Sequence, residues 1–108
     1  MKAFTHARVI DGKGGFIPEG TVLVEGSSIV KVGTSSEVEL PEGVMTVDCG
    51  GRTLMPGLMD AHTHLETTAS NNVINEVAQY NLPTRTMRSY WNSLETIRAG
   101  ITTVRDVA

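Results

Sequence analysis

The sequence predicts an α/β chain in which a small β-rich domain precedes the beginning of a parallel sheet. Three observations support this prediction. The first half consists of short β-forming runs separated by glycine-rich turns, Pro56-Gly57 interrupts the pattern, and the second half follows the order strand, helix, helix, strand. We therefore predict two parts, residues 1–56 and residues 57–108.

Five runs before Pro56 are rich in strand-forming residues and short enough for a small sheet or sandwich. They are separated by turn signals such as Asp11-Gly12, Gly26-Ser27 and Cys49-Gly50-Gly51. The predicted strands are 3–10, 21–25, 28–32, 44–47 and 52–55.

After Gly57 the pattern predicts a βαβ unit with two parallel strands. Residues 58–65 form the first strand, a short helix runs from Val73 to about Tyr80, and a second helix opens at Pro83. The strand that starts at Ile101 follows Gly100, which is well placed to end the helix. An apolar stripe along the second helix predicts core packing for its members, Met87, Tyr90, Trp91, Leu94 and Ile97.

The composition excludes several function classes. Apolar residues make up 40% and charged residues 19%, and the net charge of −3 gives no reason to expect nucleic acid or an anionic membrane as a partner. Cys49 is the only cysteine, so the chain forms no internal disulfide. The N-terminus shows no apolar leader and no segment approaches the ~20 apolar residues of a membrane helix. A reducing cytoplasm is the expected location.

His62 and His64 are candidate metal ligands at the end of the predicted strand 58–65. Alternation places Asp60 and both histidines on one face, and the two histidines are about 6.6 Å apart along the strand. Two imidazoles so placed are able to tilt toward one ion, and the carboxyl ends of parallel strands are where sites gather. A pair of surface histidines on an edge strand is the alternative, but the apolar strand and helical crossover around the pair favour metal binding.

The run 56–65, Pro-Gly-Leu-Met-Asp-Ala-His-Thr-His-Leu, resembles the first barrel strand of the amidohydrolase superfamily. Residues 48–55 and the β-rich half before them resemble the N-terminal part of the β-sandwich that flanks the barrel in many members. Residues 99–107 are similar to the second barrel strand of the branch that contains Xaa-Pro dipeptidases and imidazolonepropionase-like hydrolases. The implied fold is a β-sandwich part followed by the first βαβ portion of a (β/α)₈ TIM-type barrel.

The resemblance implies a hydrolase that uses a metal-activated water on an amide, cyclic amide or dipeptide-type C–N bond. It assigns His62 and His64 to a divalent metal, with zinc favoured over iron, cobalt or nickel and one or two ions in the complete enzyme. The other ligands lie on later strands, and a complete barrel needs about 250 residues. The chain is therefore expected to be an N-terminal piece, inactive alone, whose partners are the remainder of the barrel (or another chain supplying it) and a small-molecule or dipeptide-like substrate.

Two alternatives remain at this point. The first alternative to such a piece is a non-catalytic truncated module that self-associates into a homo-oligomer. The second, weaker alternative is a simple histidine-based metal-binding protein. Dihydroorotase-like relatives have an arginine that binds a carboxylate at the position of Glu66. The carboxylate here argues against assignment to that subgroup. Asp60 is either a group that orients a ligand histidine or a structural carboxylate.

Four further positions receive no specific functional role from the sequence. His6 is predicted to be a surface strand residue, and Cys49 a small buried or turn residue with no activating histidine nearby in sequence. Arg105 and Asp106 face opposite ways on their strand, and the sequence does not decide which of them points inward.

Overall fold

The computed structural model describes residues 1–107, which divide after Pro56 into two compact units. The first unit holds five strands and the second holds two strands and two helices. In chain order the elements are β1 (Lys2–Ile10), β2 (Phe16–Glu25), β3 (Ser28–Thr34), β4 (Met45–Asp48), β5 (Thr53–Leu54), β6 (Leu58–Thr63), α1 (Val73–Gln79), α2 (Leu82–Arg98) and β7 (Ile101–Asp106).

The first unit is a mixed sheet with the order β3-β2-β1-β4, in which β5 also pairs with β1. The strands β1, β2 and β3 form an antiparallel meander, whereas β4 and β5 lie parallel to β1 along its two halves. The strand β2 starts five residues before the predicted Thr21, because Phe16 and Ile17 pair with Ile10 and Val9 of β1.

The core of the first unit consists of alanine, valine and leucine side chains on the two faces of this sheet. One cluster joins Ala3, Leu23 and Val38. A second cluster joins Ala7, Val9 and Val22 with half-buried side chains from neighbouring strands. These strands therefore form because alternate positions are apolar and find partners across the sheet.

The second unit is a βαβ unit with parallel strands, as the sequence predicts. The strands β6 and β7 pair from Leu58 and Ile101 to Thr63 and Asp106. The side chain of Asn81 caps α2 by accepting a hydrogen bond from the backbone N–H of Thr84 at 3.0 Å. Gly100, with φ of 88°, then turns the chain from α2 into β7.

The prediction that the apolar stripe of α2 packs in the core is wrong. Trp91 is 59% exposed, and Met87 and Ile97 are exposed by 66% and 63%, whereas Leu94 is half-buried. The half-buried positions of α2 are otherwise polar or charged: Arg85, Arg88, Ser89, Asn92, Ser93 and Thr96. Two polar side chains on this face, Arg85 and Asn92, bind the turn that follows β6.

Neither helix within residues 1–107 combines the length and the apolar content that crossing a bilayer requires.

Candidate metal centre

His62 and His64 lie at the carboxyl end of β6. His62 is the penultimate residue of the strand, and His64 is the first residue after it. Both side chains are exposed. Their ring centroids are 5.2 Å apart and their planes meet at 75°, so the two imidazoles lie side by side rather than on opposite faces.

An irregularity in β6 lies directly beneath this pair. Asp60 pairs with Val104 and Thr63 with Asp106, so β6 contains one more residue than β7 between these two pairs. The backbone N–H of His62 donates a hydrogen bond to Oδ1 of Asp60 at 3.0 Å within this interval. Strict alternation is therefore broken here, and a carboxylate stabilises the backbone at the bulge.

The turn that follows His64 is closed by Thr67. The Thr67 backbone N–H and Oγ1 both donate to the carbonyl of His64, at 3.4 and 3.2 Å. Leu65 is half-buried beside them. The backbone of His64 is thus held on its carboxyl side by a local turn.

Helix α2 binds this turn at two points. The guanidinium of Arg85 donates from two nitrogens to the two carboxylate oxygens of Glu66, with 2.9 Å between Nε and Oε2. The Asn92 amide nitrogen donates to the carbonyls of Leu65 and Thr67 at 2.7 and 2.9 Å. Sequence reasoning missed Arg85 and Asn92, and the only signal for them was their position seven residues apart on one face of the helix.

The Arg85 guanidinium lowers the pKa of the Glu66 carboxyl, because its hydrogen bonds and positive charge favour the ionised form. The same contact raises the pKa of Arg85. Glu66 therefore faces α2 as a paired carboxylate, with its two oxygens occupied by the guanidinium.

The separation of the two rings is compatible with two imidazoles that share one metal ion. An ion about 2.1 Å from one nitrogen of each of two rings, in tetrahedral geometry, places the ring centres about 5 Å apart, close to the separation of the His62 and His64 rings. Within residues 1–107 no group of three or more His, Cys, Asp or Glu side chains is arranged to hold a metal ion. This unit thus offers two imidazoles to an ion, one short of the three protein ligands typical of catalytic zinc.

The other candidate residues from the sequence have different surroundings. His6 is an exposed residue of β1 whose Nδ1 lies 3.1 Å from Oδ1 of Asp48 in the first unit. Cys49 is a half-buried free thiol at the turn after β4, consistent with the predicted turn residue. Arg105 and Asp106 are both exposed on β7.

Comparison with known proteins identifies relatives of this chain. No family model matches it. The chain is 44% identical over 64 residues to a dihydroorotase of Wolbachia sp. subsp. Brugia malayi (strain TRS), a match that covers 57% of this chain and 14% of the relative. It is 41% identical over 56 residues to an imidazolonepropionase of Hyphomonas neptunium (strain ATCC 15444), covering 47% of this chain and 14% of the relative.

A solved prolidase in complex with N-methylphosphonate-L-proline has the same fold over this segment. The TM-score is 0.77 at 28% identity, and the match covers 97% of this chain and 25% of the prolidase. The chain therefore spans about a quarter or less of the proteins it matches. Its sequence and fold are similar to the N-terminal part of amidohydrolase-superfamily enzymes. The similar members include prolidases and imidazolonepropionases.

Proposed function

We propose that the chain is the N-terminal part of a metal-dependent amidohydrolase, in which His62 and His64 bind a divalent metal ion, zinc by preference. The observation that carries the proposal is the pair of imidazoles 5.2 Å apart at the carboxyl end of a parallel strand. This location is where parallel α/β folds gather their ligands.

The fold supports this assignment. In the proposed enzyme β6 and β7 are the first two strands of a (β/α)₈ barrel, connected by α1 and α2, and residues 1–56 are the N-terminal part of a β-sandwich. The parallel register of β6 and β7 and the helical connection are what a barrel repeat requires. Later strands would provide the remaining ligands, for one ion or two.

The chemistry proposed for the complete enzyme is hydrolysis of a C–N bond in an amide, a cyclic amide or a dipeptide. A bound divalent metal supplies an activated water and polarises the substrate carbonyl. In this enzyme the chain would present two imidazoles to the metal. Asp60 would stabilise the backbone of β6 at His62. The free thiol of Cys49 suits the reducing cytoplasm proposed as the location.

The environment of Glu66 argues against the dihydroorotase subgroup, whose members place an arginine at this position. The residue two positions after His64 is a carboxylate that Arg85 already binds, so it offers no cation to a substrate carboxylate. The 28% identical prolidase, solved with a proline-containing phosphonate, supports the dipeptide class.

The ligand assignment is tested by titrating the chain with Zn²⁺. Binding is measured by isothermal titration calorimetry and by the NMR shifts of the imidazole resonances. We expect His62→Ala and His64→Ala each to abolish the shared site. His6→Ala serves as the matched control, because its imidazole lies beside Asp48 in the other unit, and it should leave Zn²⁺ affinity unchanged. Unchanged Zn²⁺ affinity in His64→Ala would show that the assignment is wrong.

The activity is tested in a chimera in which residues 1–108 replace the matching segment of the solved prolidase. We expect a folded, metal-loaded chimera to hydrolyse an Xaa-Pro dipeptide and to lose the activity with His62→Ala. A folded, metal-loaded chimera without hydrolysis of dipeptides or cyclic amides contradicts the proposed function.

A second candidate function is supported by the exposed apolar side chains of α2. Met87, Trp91 and Ile97 present the kind of apolar stripe that drives association between chains. A non-catalytic module of this type would self-associate through α2. Sedimentation of the 11.6 kDa chain tests it: a monomer at all concentrations excludes self-association, and a dimer that Trp91→Lys dissociates supports it.

A further inference from the structure

We propose that Asn92 is a positioning residue that holds His64 in place beside His62 through the turn at residues 64–67. The proposal rests on the proposed function, because the two histidines matter as a pair only if they share a metal ion. It concerns a helix residue 28 positions from His64, whose role is visible only in the fold.

The amide of Asn92 spans the turn. Its nitrogen donates both of its hydrogens, one to the carbonyl of Leu65 and one to the carbonyl of Thr67, at 2.7 and 2.9 Å. These two carbonyls lie on either side of Glu66. One side chain therefore sets the separation and the direction of two peptide groups immediately after His64.

The hydrogen bonds continue from the turn to the histidine. Thr67, whose carbonyl Asn92 binds, donates its own N–H and Oγ1 to the carbonyl of His64. Asp60 stabilises the other side of the pair through the amide of His62. The backbone of both histidines is thus fixed by hydrogen bonds that originate outside their own side chains, which leaves the imidazoles free for a ligand.

Asn92 holds the turn through bonds of a different kind from those of the ion pair beside it. The Arg85–Glu66 pair is partly exposed, with 36% and 19% of the two side chains accessible, and dissolved salt weakens such a pair. The Asn92 bonds are part-buried and neutral, so loss of the amide leaves two carbonyls without their donor.

The test compares Asn92→Asp and Asn92→Ala with Asn81→Ala. The aspartate keeps the volume of the side chain but presents acceptors to two carbonyls, so it separates hydrogen bonding from packing. Asn81→Ala removes the cap of α2 and weakens the same helix without touching the turn, which makes it the control for general destabilisation.

The first measurement uses metal-free protein. We expect nuclear Overhauser contacts between the rings of His62 and His64 in the parent chain and in Asn81→Ala, and their loss in both Asn92 variants. The second measurement is Zn²⁺ affinity, which we expect to fall about tenfold in the Asn92 variants and to change less than about twofold in Asn81→Ala.

The outcomes separate the two proposals. Ring contacts and Zn²⁺ affinity that persist in folded Asn92→Asp overturn the positioning role, whereas the proposed metal pair stands. A parent chain that binds no Zn²⁺ through His62 and His64 overturns the proposed function, and the ring contacts in metal-free protein still decide whether Asn92 positions His64.

Discussion

The carboxylate of Asp60 accepts a hydrogen bond from the backbone N–H of His62, two residues along the same strand. The bond lies in the interval where β6 holds an extra residue relative to β7. Bulges of this kind redirect side chains at the ends of strands, and here the redirected side chain is a candidate ligand. Asp60 thus acts on the backbone of His62 rather than on its imidazole.

Replacement of Asp60 by alanine should weaken metal binding. Without the acceptor the bulge is less well defined, and we expect Zn²⁺ affinity to fall about three- to tenfold, the equivalent of one net hydrogen bond. Asp60→Asn keeps an oxygen at the same position and should retain affinity within about twofold. Equal losses in the two variants would indicate that the charge of Asp60, and not its hydrogen bond, is what matters.

Gly57 should not tolerate a side chain. A Cβ at this position would lie 2.7 Å from the Cβ of Thr102 and closer still to its other side-chain atoms. We expect Gly57→Ala to lower the free energy of unfolding of the second unit by about 1–3 kcal/mol, measured by urea denaturation. Thr102→Gly should recover most of this loss when the two changes are combined, because it removes the clashing atoms. Additive losses in the double variant would contradict a direct clash.

Glu37 should contribute to stability near neutral pH and lose that contribution in acid. The backbone N–H of Thr34 donates to Oε2 of Glu37 at 2.8 Å, and so does its hydroxyl, which together lower the pKa of the carboxyl below the ordinary 4.5. A lowered pKa in the folded state means that the contribution is complete above pH 4.5 and disappears as the pH falls through the folded-state pKa.

Denaturation of Glu37→Gln and of the parent chain at several pH values measures this contribution. We expect the variant to be less stable near pH 7 and the difference to vanish in strong acid. Glu39→Gln, at an exposed position two residues along the chain, is the control and should follow the parent. A difference that persists unchanged in strong acid would rule out the carboxylate as its source.

The sequence determined the elements and their order, because strand and helix formation follow local pattern. The alternation in β1 and the apolar spacing in α2 are visible without a structure, and so is the parallel βαβ arrangement after Gly57. The sequence also predicted that His62 and His64 lie close together, and their ring centroids are 5.2 Å apart, although His64 follows the end of β6 and the strand is irregular between Asp60 and Thr63.

Only the tertiary structure decided which face of α2 lies inward and what holds the candidate site. The apolar spacing from Met87 to Ile97 predicted a buried stripe, yet the polar side chains of Arg85 and Asn92 turn inward to bind the turn after His64. Their partners lie 19 to 27 residues away, and the bulge at Asp60 depends on the register with β7. Local periodicity carries no information about such non-local partners, because hydrogen bonds between distant segments form only after the chain has folded.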